Sequence, residues 1–153
     1  MALTFHSGDL DSPDVQALLD FHFVQMRATS PPESCHVLPI DGLREPAVTF
    51  WSVREDGALM GVGALKELAP DHGEIKSMRT APAALGRGIG RAILHHIIAE
   101  ARSRSYRRLS LETGSTEPFA AALRLYESEG FFPCDPFGDY RHTLFTRFFT
   151  REL

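Results

Sequence analysis

Cysteine is scarce in this chain of 153 residues, which contains only Cys35 and Cys134, far apart in the sequence. They form neither a disulfide framework nor a Cys-x-x-Cys pair, so the sequence predicts two reduced thiols. No apolar run approaches the ~18 residues that a membrane-spanning helix needs. No basic start followed by an apolar run is present either, so no signal peptide is expected. These absences predict a soluble, cytoplasmic protein that does not insert into membranes.

An excess of basic residues is also missing. Lys and Arg number 16 against 20 Asp and Glu, a formal net charge of −4. An acidic balance argues against a dedicated nucleic-acid binder and is compatible with a cationic substrate. Hydrophobic residues make up 43% and charged residues 24% of the chain, as in globular proteins. The length predicts a single domain over residues 1–153.

Hydrophobic periodicity and turn signals divide the chain into alternating strands and helices. Strands are predicted over residues 3–6, 47–54, 58–65, 74–80, 107–112, 131–133 and 143–149. Helices are predicted over residues 13–29, 88–101 and 119–129, with a short helix or turn within 33–46. Three consecutive strands followed by β-α-β crossovers predict an α/β (α+β) fold. Its mixed, mostly antiparallel sheet of six to seven strands would be flanked by helices.

A glycine-rich turn, residues 85–91, joins the fourth predicted strand to the next helix. Gly86, Gly88 and Gly90 allow the backbone to approach a ligand closely. The free N–H groups and partial positive charge of the helix start favour a phosphate, and Arg87 and Arg91 add charge beside it. The dinucleotide motif G-x-G-x-x-G fails because its last position is Arg91, and the Walker pattern is absent. The alternative is a flexible turn whose glycines serve only packing.

This turn resembles the phosphate motif of the GNAT superfamily of N-acetyltransferases, Q/R-x-x-G-x-G/A. It matches at Gly88 and Gly90 and departs at Leu85, where the family prefers Gln or Arg. A second family pattern, Asn-x-x-Ala-x-x-Leu-Tyr-x-x-x-Gly-Phe, matches at Ala122, Leu125, Tyr126, Gly130 and Phe131. Two motifs with the family's spacing and order identify the chain as resembling this family over nearly its whole length.

The second motif departs from the family at Phe119, which replaces an Asn. The polar contact that Asn makes with the cofactor is therefore either lost or supplied by Ser115 or Thr116. The family resemblance also implies that homodimers occur, since members are often dimers.

The resemblance implies acetyl-CoA as the acyl donor, held in a V-shaped gap where the fourth and fifth strands part. The main chain of Met78, Arg79 and Thr80 would pair with the pantetheine arm like an added strand. The Met78 N–H would polarise the thioester carbonyl. The pyrophosphate would lie on the glycine-rich turn, held by Gly86, Arg87, Gly88, Gly90 and Arg91. No metal is implied.

The resemblance further implies direct acetyl transfer to a primary amine, of a small molecule or a protein, in a ternary complex. The protonated amine needs a base, and Glu74 lies eleven residues before Leu85, where some family members carry a glutamate. A water chain and the strand-end carboxylates Glu67 and Glu112 are the alternatives. Tyr126 matches the family's tyrosine that protonates the leaving thiolate, because a pKa of about 10 retains the proton at neutral pH.

Other function classes remain open at this point. A non-catalytic acyl-CoA-binding or sensing module would keep the turn without the base and acid. A nucleotide-binding oxidoreductase fragment is disfavoured by the failed dinucleotide motif. Cys35 and His36 lack supporting context for a nucleophile, and His95 and His96 lack the spacing of a metal pair. The amine pocket is expected between the first helix, residues 31–46 and the C-terminal hairpin.

Overall fold

A computed structural model describes residues 2–153 as one seven-stranded sheet with helices on both faces. The strands are β1 (Thr4–Ser7), β2 (Val48–Glu55), β3 (Ala58–Ala69), β4 (His72–Thr80), β5 (Arg108–Gly114), β6 (Phe132–Pro133) and β7 (Thr146–Glu152). The helices are α1 (Pro13–Thr29), α2 (Ile40–Leu43), α3 (Ile89–Ser103) and α4 (Ala120–Ser128). The strand order is β1-β2-β3-β4-β5-β7-β6. Only the β4–β5 pair is parallel in the part of the chain described, so the predicted fold class is confirmed.

Local sequence signals account for the main turns. Asp56 and Gly57 both have positive φ, +51° and +82°, in the two-residue hairpin between β2 and β3. That conformation belongs to a type I′ turn, which Asp-Gly favours. Gly130, at φ +87°, follows α4 and ends it as predicted. None of the helices described is both long and apolar enough to cross a membrane.

The last strand differs from its predicted bounds of 143–149. It runs from Thr146 to Glu152, because the Thr143 hydroxyl accepts the Thr146 N–H at 2.9 Å and holds a turn there. The chain beyond residue 149 continues the ladder with β5, where Glu152 lies opposite Arg108. The antiparallel partner strand therefore decides where β7 ends.

Two apolar cores lie on opposite faces of the sheet. On one face, α1 packs onto β3 through residues that include Val15, Leu19, Val62 and Ala64. On the other, α3 packs onto the sheet through a larger cluster that includes Leu65, Ile93 and Ile97. The two faces are called the α1 face and the α3 face below.

A β-bulge in β4 determines which side chains reach the α1 face. Val62 lies opposite Arg79 and Ala64 opposite Lys76, so β4 has one more residue than β3 between these pairs. Ser77, at φ +54°, accommodates this irregularity. Residues directly opposite each other share a face, so Lys76 and Arg79 both lie on the α1 face with Val62 and Ala64.

Beyond their first three pairs, β4 and β5 part. They pair at His72–Arg108, Gly73–Leu109 and Glu74–Ser110, and no pair follows. β5 nevertheless continues alongside β7 as far as Gly114. A gap therefore opens in the sheet beside the last six residues of β4.

Candidate active site

The glycine-rich turn leads into α3 through two glycines in the left-handed conformation. Gly88 caps α3 at φ +78°, Gly86 lies at φ +76°, and no atom lies within 4 Å of a Cβ built at either. Ala92 makes the first helical hydrogen bond, donating its N–H to the Gly88 carbonyl at 3.1 Å. The N–H groups before it have no helical acceptor. This geometry suits a phosphate group.

The two arginines of the turn hold surface ion pairs. Arg87 donates to Glu55 at 2.8 and 3.1 Å. Arg91 pairs with Glu129 and donates to the Ser128 hydroxyl at 3.2 Å. Exposed ion pairs contribute about 0–1 kcal/mol, so exchanging a carboxylate for a phosphate at either arginine costs little.

A cavity of about 480 Å³ fills the gap between β4 and β5. Its wall includes Met78, Arg79 and Thr80 of β4, together with Leu85 and Gly90 at the turn. The three regions expected to form the amine pocket also reach it: α1, residues 30–38 and the segment leading into β7. The volume lies within the range of small-molecule sites.

Glu74, on β4, faces the cavity but is only 2% exposed. Its Oε2 accepts the Tyr140 hydroxyl at 2.6 Å and the Lys76 Nζ at 3.3 Å. Lys76 also donates to the Tyr140 oxygen at 2.7 Å. Burial and then the negative charge of Glu74 raise the pKa of Tyr140, so this phenol stays protonated. Glu74 is therefore a buried carboxylate compensated by one ammonium group, not a water-facing strand residue.

A second carboxylate of the cavity, Glu112 on β5, binds a histidine. Its Oε2 lies 2.6 Å from His36 Nδ1. Burial raises the pKa of Glu112, and the neighbouring His36 opposes that shift. Glu67, the third candidate base, lies outside the cavity wall and accepts the Tyr106 hydroxyl at 2.8 Å. Around His36 the sequence shows no supporting context, and the structure explains why: its partner lies 76 residues away.

Tyr126 lines the cavity from α4. Burial raises its pKa to about 12, against the opposing charge of Arg79. Its ring packs edge-on against Phe131 at 5.9 Å between centroids. Within residues 2–153 its hydroxyl has no hydrogen-bond partner, so its proton is available to a ligand.

The position where the family carries Asn is apolar and tightly packed. Phe119 is buried and lies edge-on to Phe145, with ring centroids 5.4 Å apart. A Cβ at Gly114 would lie 2.5 Å from both rings, so only glycine fits beneath them. The Ser115 hydroxyl donates to the Phe145 carbonyl at 2.6 Å, which occupies one of the two expected polar replacements.

No group of three His, Cys, Asp or Glu side chains suited to a metal ion occurs in the described part of the chain.

The family model described as Acetyltransferase (GNAT) family matches residues 15–131. The chain therefore belongs to the GNAT family and is an acetyltransferase, which confirms the predicted enzyme class and disfavours the non-catalytic module. It is 50% identical over 150 residues to the "Uncharacterized N-acetyltransferase YedL" of Escherichia coli K12, covering 98% of this chain and 94% of that protein. It is 50% identical over 145 residues to the "Uncharacterized N-acetyltransferase YsnE" of Bacillus subtilis 168, covering 95% and 96%.

Among solved structures, a GNAT family acetyltransferase from Elizabethkingia anophelis with acetyl-CoA bound has the same fold. The TM-score is 0.70 at 18% identity, over 99% of this chain and 98% of that one. The acetyl-CoA is bound to that protein, and the likeness shows that the two chains share a fold.

The open space at Gly88 leads to a test of the turn. Gly88→Ala strains the left-handed backbone and adds a methyl group beside the N–H cradle. We expect the acetyl-CoA Kd to rise about 10-fold or more, equivalent to about 1.4 kcal/mol. Gly8→Ala is the matched control, because Gly8 has nearly the same φ, +76°, and equally open surroundings outside this turn. Isothermal titration measures both variants, and an unchanged Kd for Gly88→Ala would contradict the cradle.

Proposed function

We propose that this protein transfers the acetyl group of acetyl-CoA directly to a primary amine of a small molecule, in a ternary complex. Residues 1–153 form one catalytic domain in this proposal. The main support for this proposal is a single cavity that extends from Gly90, in the first turn of α3, to the buried polar side chains of the α1 face. Its small volume favours a small acceptor. A protein amine is the competing acceptor. The relatives' description as N-acetyltransferases supports nitrogen as the acetylated atom.

The main chain of Met78, Arg79 and Thr80 is proposed to bind the pantetheine arm. Support comes from the missing β5 partner along this part of β4, which leaves a strand edge for pairing. In this arrangement the Met78 N–H polarises the thioester carbonyl. The pyrophosphate is assigned to the turn, with Gly86, Arg87, Gly88, Gly90 and Arg91 as its contacts.

The reaction requires that the acceptor's ammonium group lose two protons. A base removes the first, and the neutral nitrogen then forms a C–N bond to the carbonyl carbon. The C–S bond breaks as the tetrahedral intermediate collapses. Tyr126 donates its proton to the departing thiolate and regains one from the acetylated nitrogen, while the proton on the base passes to solvent.

We propose Glu74 as the base, supported by its burial on the cavity side of β4. Its Oε2 already accepts two hydrogen bonds, so proton abstraction at that oxygen competes with Tyr140 and Lys76. His36 is the competing candidate for the base. Glu112 binds its Nδ1, so the second ring nitrogen, Nε2, is the atom that would accept the proton.

Glu74→Gln and His36→Gln separate the two bases. If Glu74 is the base, Glu74→Gln lowers kcat about 100-fold or more, and His36→Gln costs distinctly less. Glu100→Gln, on the outer surface of α3, is the carboxylate control. The measurement is the pH profile of kcat with each variant. A larger loss in His36→Gln, with Glu74→Gln close to wild type, would transfer the role to His36.

Removing the Tyr126 hydroxyl tests the proposed acid. Because burial holds the Tyr126 pKa near 12, its proton remains in place at neutral pH, and Tyr126→Phe removes it. We expect kcat to fall about 10- to 100-fold with little change in the acetyl-CoA Kd. Tyr106→Phe, a buried tyrosine outside the cavity, is the matched control. Unchanged turnover would exclude Tyr126 from the mechanism.

A panel of primary amines, followed by the release of free CoA thiol, tests the proposed function itself. We expect turnover of at least one small amine above the rate of acetyl-CoA hydrolysis. Tight acetyl-CoA binding without turnover of any small amine would contradict the proposal. Peptides with free lysine or N-terminal amines are the second arm, and turnover confined to them would make the acceptor a protein.

A further inference from the structure

Arg79 is a cation in the cavity wall without a carboxylate partner. Its Nε donates to His22 Nδ1 at 2.9 Å, and its guanidinium lies 5.7 Å from the centre of the Phe21 ring. Among residues 2–153 no Asp or Glu lies within salt-bridge distance of it, and its two Nη groups have no hydrogen-bond acceptor. A partly buried charge without a counter-ion costs free energy that a bound anion would offset.

The partner that orients Arg79 is itself uncharged at neutral pH. Burial, assisted by the positive charge of Arg79, lowers the pKa of His22 to about 4. Neutral His22 accepts the Nε–H and fixes the guanidinium plane without compensating its charge. The four Nη hydrogens remain as a fork, which matches the two oxygens of a carboxylate.

The other charged side chains of the cavity wall have partners. Lys76 is paired with Glu74, and Glu112 with His36. Unlike these pairs, the positive charge of Arg79 in the cavity wall has no negative partner in the described chain.

The position of Arg79 separates it from the diphosphate site. The bulge at Ser77 places the Arg79 side chain on the α1 face, where it contacts His22 of α1. The glycine-rich turn begins α3, which packs on the opposite face. An anion at the Arg79 fork is therefore on the side of the gap where α1 and residues 30–38 form the wall, away from the N–H cradle.

We propose that the Arg79 guanidinium binds a carboxylate of the acceptor, so that the preferred substrates are amines carrying a carboxylate group, such as free amino acids. This inference rests on the proposed function, because it assigns the acceptor of that reaction. The Arg79 main chain still pairs with pantetheine, and its side chain selects the acceptor from the other side of the strand.

Matched pairs of acceptors test the proposal with the full chain and acetyl-CoA. The probes are the common amino acids and, for each, the carboxamide, which retains the amine and replaces the carboxylate with a neutral group. We expect kcat/KM for the best amino acid to exceed that of its carboxamide at least 50-fold. Equal rates, or faster rates with the carboxamides, would overturn the inference and leave the proposed function intact. No acetylation of either set or of any other amine would instead remove the proposed function, and this inference with it.

Variants at Arg79 assign the preference to its side chain. Arg79→Gln keeps a donor toward His22 but removes the charge, and we expect the acid-to-carboxamide ratio to fall to within about 3-fold of unity. Arg79→Lys keeps the charge without the fork and should retain part of the ratio, mainly through a higher KM for the acid. Arg27→Gln, an exposed arginine of α1, is the matched control and keeps the wild-type ratio. Thermal melting checks folding, and an unchanged ratio in folded Arg79→Gln would overturn the assignment.

Discussion

The separation of β4 from β5 is the constraint on which the rest of the site depends. Two parallel strands normally continue to pair, but here only three residue pairs hold them together. The antiparallel neighbours on either side keep each strand in place, since β3 pairs along β4 and β7 pairs along β5. The β4–β5 gap therefore forms while both strands stay paired to their other neighbours, and the unpaired main-chain groups along the gap become available to a ligand.

The gap connects two chemically different faces. On the α3 side, the proposed ligand contacts are main-chain N–H groups at a helix start, which attract an anion without any charged side chain. On the α1 side, the cavity wall has buried ionisable groups in defined pairs, with Glu74 beside Lys76 and Glu112 beside His36. A buried carboxylate without such a partner would destabilise the fold, so these pairs allow reactive groups to remain inside. In the proposed reaction, acetyl-CoA bound from one face therefore meets an acceptor bound from the other.

Features encoded locally could be predicted from the sequence. The turn at 85–91 and the hairpin at 56–57 depend on glycines within a few residues, and both contain residues with positive φ. The position of Glu74 on β4 was likewise expected, but its burial was not, because that depends on Tyr140 from a distant loop. His36 and Glu112 meet only after the whole sheet is assembled. No sequence pattern predicts the bulge at Ser77 either. Without the bulge, the alternation of side chains along β4 would place Arg79 on the opposite face.

A crystal structure with coenzyme A measures the central claim most directly, because it shows whether the opened sheet binds the cofactor. The account predicts the diphosphate against the N–H groups between Gly88 and Arg91, with the pantetheine arm along residues 78–80 and the thiol in the gap between β4 and β5. Coenzyme A bound elsewhere, or side chains filling the space in front of the turn, would contradict it.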